Sequence, residues 1–88
     1  MKFYVYILYS VAFDKYYIGQ TNNLSRRLLE HNNKKAKSTM PYVPYTIKWN
    51  TEKSSRKEAL ILERKLKNLK SKIRLKKFID KYSHDKNL

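Results

Sequence analysis

Alternation between two faces opens the chain. In FYVYILY, Phe3, Val5, Ile7 and Tyr9 fall on one side of an extended backbone, and Tyr4, Tyr6 and Leu8 on the other. Both sides are apolar or aromatic, which predicts a central strand covered on both faces. SVAFDK then reverses the chain around Asp14 and Lys15, and YYIGQ returns as a second, antiparallel strand.

The spacing next becomes helical. Asn22 or Asn23 can cap a helix starting at Leu24, and in LSRRLLEHN a rotation of about 100° per residue places Arg27 and His31 on the stripe of Leu24 and Leu28. Arg26 and Glu30 point away from that stripe. An arginine and a histidine are therefore aimed at the sheet. KKAKSTMPYVPYT, which contains Pro41 and Pro44, has neither period and reads as a basic loop. TIKWN supplies a third strand.

Ser54 or Ser55 then caps a long helix, RKEALILERKLKNLK, with core positions Ala59, Leu62, Leu66 and Leu69 and with Glu63 at the border of the stripe. From Ser71, KIRLKKFIDKY predicts a last helix packing through Ile73, Phe78 and Ile79 or Tyr82. The order β-β-α-β-α-α predicts an α+β fold in which a small three-stranded antiparallel sheet is flanked by helices. Residues 1–82 form one domain in this reading, and 83–88 a frayed tail.

Charge narrows the choice of partners. Among 88 residues, 21 Lys and Arg face 7 Asp and Glu, a formal net charge of +14. A surplus of that size on so small a surface selects polyanions, nucleic acid first. With no cysteine in the chain, thiolate zinc sites, iron–sulfur clusters and disulfides are excluded. The apolar start is too short to span a bilayer, so the expectation is a cytoplasmic protein with no membrane partner.

Several residues in this pattern could carry phosphodiester chemistry, and each has an ordinary alternative. Tyr6 and Tyr17 could be core tyrosines, and Gly19, the only glycine, a strand terminator. Arg27 could snorkel past its leucines, and His31 could be a hydrogen-bonded histidine at the core edge. Glu63 could pair with Lys67 one turn on, or with Lys70.

Their order and spacing tip the balance. YVYIL, then KYYIGQTNNLSRRLLEH, then EALILERKLK, resembles the GIY-YIG nuclease superfamily. The likeness is to small stand-alone members related to the N-terminal nuclease domain of the bacterial excision-repair nuclease and to homing-endonuclease catalytic domains. The first tripeptide is here Tyr4-Val5-Tyr6, with tyrosine in place of its glycine, and Tyr17-Ile18-Gly19 matches the second. The resemblance implies catalytic roles for Tyr6, Tyr17, Arg27 and His31, and a metal-binding role for Glu63. It implies an endonuclease using one divalent metal, Mg²⁺ or Mn²⁺, on nucleic acid.

Glu63 offers the hard oxygen such a metal needs, and Arg27 can grip phosphate oxygens. Either tyrosine could orient or deprotonate water if nearby cations favoured its phenolate. Gly19 would leave room for the substrate backbone. Lys34, Lys35, Lys37 and Tyr42 of the basic loop could hold phosphates and stack on an unpaired base. DNA is expected over RNA, with shape or a protein partner supplying specificity. The alternative is a non-catalytic basic nucleic-acid-binding module on the same fold.

Overall fold

The computed structural model describes residues 2–83. Three strands, β1 (Phe3–Ser10), β2 (Lys15–Thr21) and β3 (Thr46–Lys53), form one antiparallel sheet in the order β2-β1-β3. Helix α1 (Leu24–Asn32) follows β2, and α2 (Arg56–Lys67) and α3 (Lys72–Ser83) follow β3. The tail expected over 83–88 lies outside the described residues except for Ser83, which ends α3.

The alternation in β1 produces two apolar layers. Val5 and Ile7 pack with Trp49, Ala59, Leu66, Leu75 and Ile79 under α2 and α3, whereas Tyr6 and Leu8 pack with Tyr45, Leu24 and Leu28 under α1. Val5, Tyr6, Ile7 and Leu8 are all at most 1% exposed, as a strand covered on both sides must be.

The caps follow local chemistry. The Asn23 side chain accepts the Arg26 N–H at the start of α1, Ser55 accepts the Glu58 N–H at the start of α2, and Ser71 accepts the Arg74 N–H ahead of α3. Asn22 does not cap; its side chain accepts from the Arg26 guanidinium instead.

Three expectations change. Helix α2 stops at Lys67, and the chain turns through Leu69 and Lys70, the latter with φ of 48°. Leu69 still packs against the core from that turn. Ile73 is 69% exposed, and Leu75 is buried in its place. Leu75, Phe78 and Ile79 share one helix face by their i, i+3 and i, i+4 spacing, whereas Ile73 lies about 200° round the helix from Leu75.

The third change is in β3, which runs on to Lys53 and carries a bulge opposite Ile7 and Leu8. Ile7 pairs with Trp49 but Leu8 with Ile47, so Lys48 is the extra residue. Strict alternation would put Ile47 and Trp49 on one face; the bulge sends each into a different layer. Within the loop that precedes β3, Met40–Tyr42 forms one 3-10 turn. No described helix is long and apolar enough to cross a membrane.

Candidate active site

Pairing of β1 with β2 sets Tyr6 directly opposite Gly19. A Cβ built on Gly19 would land on the Tyr6 hydroxyl and lie 2.6 Å from its Cζ and 3.2 Å from Tyr17 Cε2. The position is thus occupied by a phenol leaning across the strand, a nearer reason for glycine than the expected room for substrate. Its φ is not positive, so close approach alone demands glycine here. Gly19→Ala is expected to displace the Tyr6 ring, costing about 1–3 kcal/mol of overpacking and slowing any reaction that uses the hydroxyl. Chemical denaturation and a rate measurement on the same preparation check this; unchanged values for both would show that the phenol does not depend on the gap.

His31 is completely buried on the inward face of α1. Its Nε2 lies 3.1 Å from the Tyr6 hydroxyl and its Nδ1 2.7 Å from Thr39 Oγ1. The Thr39 hydroxyl donates to the Ala36 carbonyl at 3.2 Å, which commits its proton. His31 Nδ1–H therefore donates to Thr39, Nε2 is left as an acceptor, and the Tyr6 O–H donates to it. This assigns the tautomer from the network alone. Thr39, itself fully buried, gave no signal in the sequence because its loop has no period.

Burial first, then the neighbouring Arg27, lower the His31 pKa from 6.5 to about 4. The unfolded chain consequently takes up a proton near pH 6.5, and the folded chain only near pH 4. Between those values the unfolded state binds more protons, so stability is complete above pH 6.5 and falls as pH drops towards 4, by at most about 3 kcal/mol. Urea unfolding at pH 7 and pH 4.5 measures the loss, and His31→Gln should flatten it. An equal loss in that variant would assign it to other groups.

Tyr6 is pushed above the ordinary tyrosine value, chiefly by burial and only partly offset by the adjacent Arg27; Tyr17 and Glu63 push it further up. The expected cation-stabilised phenolate is not what these surroundings favour: Tyr6 is a protonated phenol whose hydrogen is held by His31. The Tyr17 ring packs against His31 at 4.9 Å between centroids and against Tyr6 at 6.4 Å.

Arg27 is half-buried beside this pair, and its Nη1 donates to Glu30 Oε1 at 3.1 Å. Glu30, expected to point away, thus steadies the guanidinium, while Arg26 reaches its other oxygen at 3.9 Å. Asn32 anchors the end of α1: its amide exchanges two hydrogen bonds with the Tyr45 backbone, at 2.7 and 3.0 Å, as a strand neighbour would.

Glu63 approaches from α2, in the other layer. Its Oε1 accepts from Gln20 Nε2 at 3.0 Å, and its Oε2 meets Lys67 Nζ at 2.7 Å. The pairing with Lys67 that i, i+4 spacing allows is therefore present. Gln20 follows Gly19 on β2, so adjacent residues of one strand touch the Tyr6 phenol on one face and the Glu63 carboxylate on the other.

Among the described residues no group of three or more His, Cys, Asp and Glu could cage a metal ion. The local donors nevertheless fit a hard cation. Glu63 Oε2 already faces an ammonium, and the Gln20 amide oxygen beside it is buried without a hydrogen-bond partner.

Of the basic loop, Lys34, Lys35 and Lys37 are exposed. The Lys34 and Lys35 backbone N–H groups close the end of α1 on the His31 and Glu30 carbonyls at 3.1 and 3.0 Å, and no described side-chain hydrogen bond or ion pair joins the three lysines to the Tyr6–His31 pair. Tyr42 is occupied within the protein: the Phe13 ring stands edge-on to it at 5.6 Å, and Lys15 Nζ lies 5.5 Å from its centre. Asn68 serves as the C-cap of α2.

The profile described as GIY-YIG catalytic domain matches residues 2–78. The solution NMR structure of the UPF0213 protein BH0048 from Bacillus halodurans is similar to this chain, with 30% sequence identity and a TM-score of 0.58, over 91% of this chain and 84% of that one. No match was found among curated proteins.

Proposed function

The chain belongs to the GIY-YIG catalytic domain family, and from that premise we propose that it is a metal-dependent endonuclease hydrolysing phosphodiester bonds in nucleic acid. DNA is its substrate before RNA, recognised by shape or weakly, or through a protein partner. The observation that carries this reading is the hydrogen bond from the Tyr6 hydroxyl to a buried, neutral His31.

Because the proton of Tyr6 is committed to Nε2 and the Arg27 guanidinium donates to its oxygen, one lone pair remains to accept from a water molecule. As that water attacks phosphorus, its proton passes to the Tyr6 oxygen while the Tyr6 proton moves to His31 Nε2. The opposite P–O bond breaks with its electron pair going to the leaving sugar oxygen, which takes a proton from solvent water. His31 is weakly basic at rest, so this transfer is driven by the negative charge developing on the phosphoryl group in front of the Tyr6 oxygen. Thr39 keeps Nε2 as the accepting nitrogen throughout. The choice between the two tyrosines thereby falls on Tyr6 as base, with Tyr17 packing the imidazole in place.

Arg27 uses Nη1 on Glu30 and retains further donors for phosphate oxygens. Glu63 would hold the Mg²⁺ or Mn²⁺, with Gln20 fixing the direction of its carboxylate. A metal bound there would supply Lewis-acid neutralisation of phosphoryl charge. Lys34, Lys35 and Lys37 would extend the contact with phosphates, and Tyr42 would stack on a base only by leaving its contacts with Phe13 and Lys15.

One observation favours the second reading, a binding module without catalysis: Arg27 and Glu63 are both neutralised within the protein, by Glu30 and Lys67. A cleavage time course separates the two. Labelled duplex, single-stranded and branched DNA and structured RNA are incubated with the purified protein in Mn²⁺, Mg²⁺ or EDTA. The nuclease predicts cutting that EDTA stops; binding without cutting on every substrate would establish the module.

A further inference from the structure

A second basic feature lies outside the tyrosine–histidine site. Between β2 and the corner joining α2 to α3 is an open cleft of about 270 Å³, with Ile18 and Leu66 in its floor and Lys15, Lys67, Lys70 and Lys72 around its rim. No acidic side chain lines it. Lys72 is held by Asp14 at 2.8 Å and Lys67 by Glu63 at 2.7 Å. Lys15 and Lys70 have no acidic partner among the described residues; the Lys15 ammonium stands 5.5 Å from the centre of the Tyr42 ring, and Lys70 has no such ring contact among the described ones.

Lys70 is also in an unusual conformation. Its φ of 48° lies in the left-handed region, two residues past the C-cap of α2, where glycine is the least costly occupant. A lysine held there gives up backbone ease and places an ammonium group on the rim. The cleft adjoins the candidate metal ligand, because Lys67 forms part of its wall and also pairs with Glu63. Along β2, Lys15 stands five residues before Gln20, the partner of Glu63. That is about 16 Å of strand, the axial rise of about five phosphates on one DNA strand.

Resting on the nuclease reading for its substrate, we propose that this cleft carries the phosphodiester backbone to one side of the cut position, with Lys15 and Lys70 as its phosphate contacts. The excess of positive charge makes a long polyanion the fitting occupant, and the apolar floor suits the sugar edges between phosphates.

The test is fluorescence anisotropy of labelled duplex and branched DNA in EDTA, over a salt series, for wild type, Lys15→Ala, Lys70→Gly and the double variant. Lys53→Ala, on the opposite edge strand, serves as the charge control. The double variant should bind about tenfold more weakly at low salt and lower the log–log salt slope by about 2, while the control changes affinity less than about twofold. Lys70→Gly should melt no lower than wild type, because glycine accepts the left-handed backbone, so a loss of binding cannot be ascribed to unfolding.

Equal losses in the control and the cleft variants, or no loss in the latter, would overturn the proposal, even if the wild type cuts DNA. The predicted pattern in a protein that never cuts would instead uphold the cleft and remove the nuclease reading.

Discussion

Glu63→Ala is expected to lower metal-dependent cleavage by about 10³-fold or more while leaving the fold intact. Electrostatic stabilisation of a phosphoryl transition state is worth several kcal/mol, and on the proposed reading Glu63 is the carboxylate that would hold the cation supplying it. Its structural contribution is smaller. The variant removes an acceptor from Gln20 Nε2 and a partner from Lys67, which is about half exposed. Such losses amount to about 1 kcal/mol. Single-turnover rates with Mn²⁺, taken beside a thermal melt, separate the two effects. Undiminished cutting by a folded variant would mean that Glu63 is not the metal ligand.

Tyr6→Phe should reduce the rate by about 10²- to 10⁴-fold, the range associated with a positioned proton acceptor. It should also destabilise, because His31 Nε2 loses the hydroxyl that satisfies it inside the protein, a cost of about 1–3 kcal/mol. Tyr17→Phe is the informative comparison. Tyr17 meets His31 through its ring, and that contact survives removal of the hydroxyl. Its rate should stay within about tenfold of wild type if Tyr6 is the base. A larger fall for Tyr17→Phe than for Tyr6→Phe would exchange the roles of the two tyrosines.

Both outcomes turn on contacts that join separate parts of the chain. The Tyr6–His31 bond spans 25 positions and the Gln20–Glu63 bond 43. The first ties β1 to α1 and the second ties β2 to α2, so each layer is held by a contact between distant parts of the chain.

Much of this arrangement is local and therefore written in the sequence. A run apolar on both faces made β1 central, side-chain oxygens at Asn23, Ser55 and Ser71 began the helices, and a rotation of 100° per residue turned Arg27 and His31 towards the sheet. Periodicity reports these features because each depends on residues within a turn or two of one another.

What the tertiary structure decided depends on distant partners. The bulge at Lys48 divided Ile47 from Trp49, and the consistent face of α3 buried Leu75 while leaving Ile73 in solvent. Thr39 fixed the tautomer of His31, and Gly19 proved to be set by the phenol opposite. No local period encodes a cross-strand collision or the destination of a hydroxyl proton. Those follow only when register brings the atoms within a few ångströms, where sterics and hydrogen bonding leave a single arrangement.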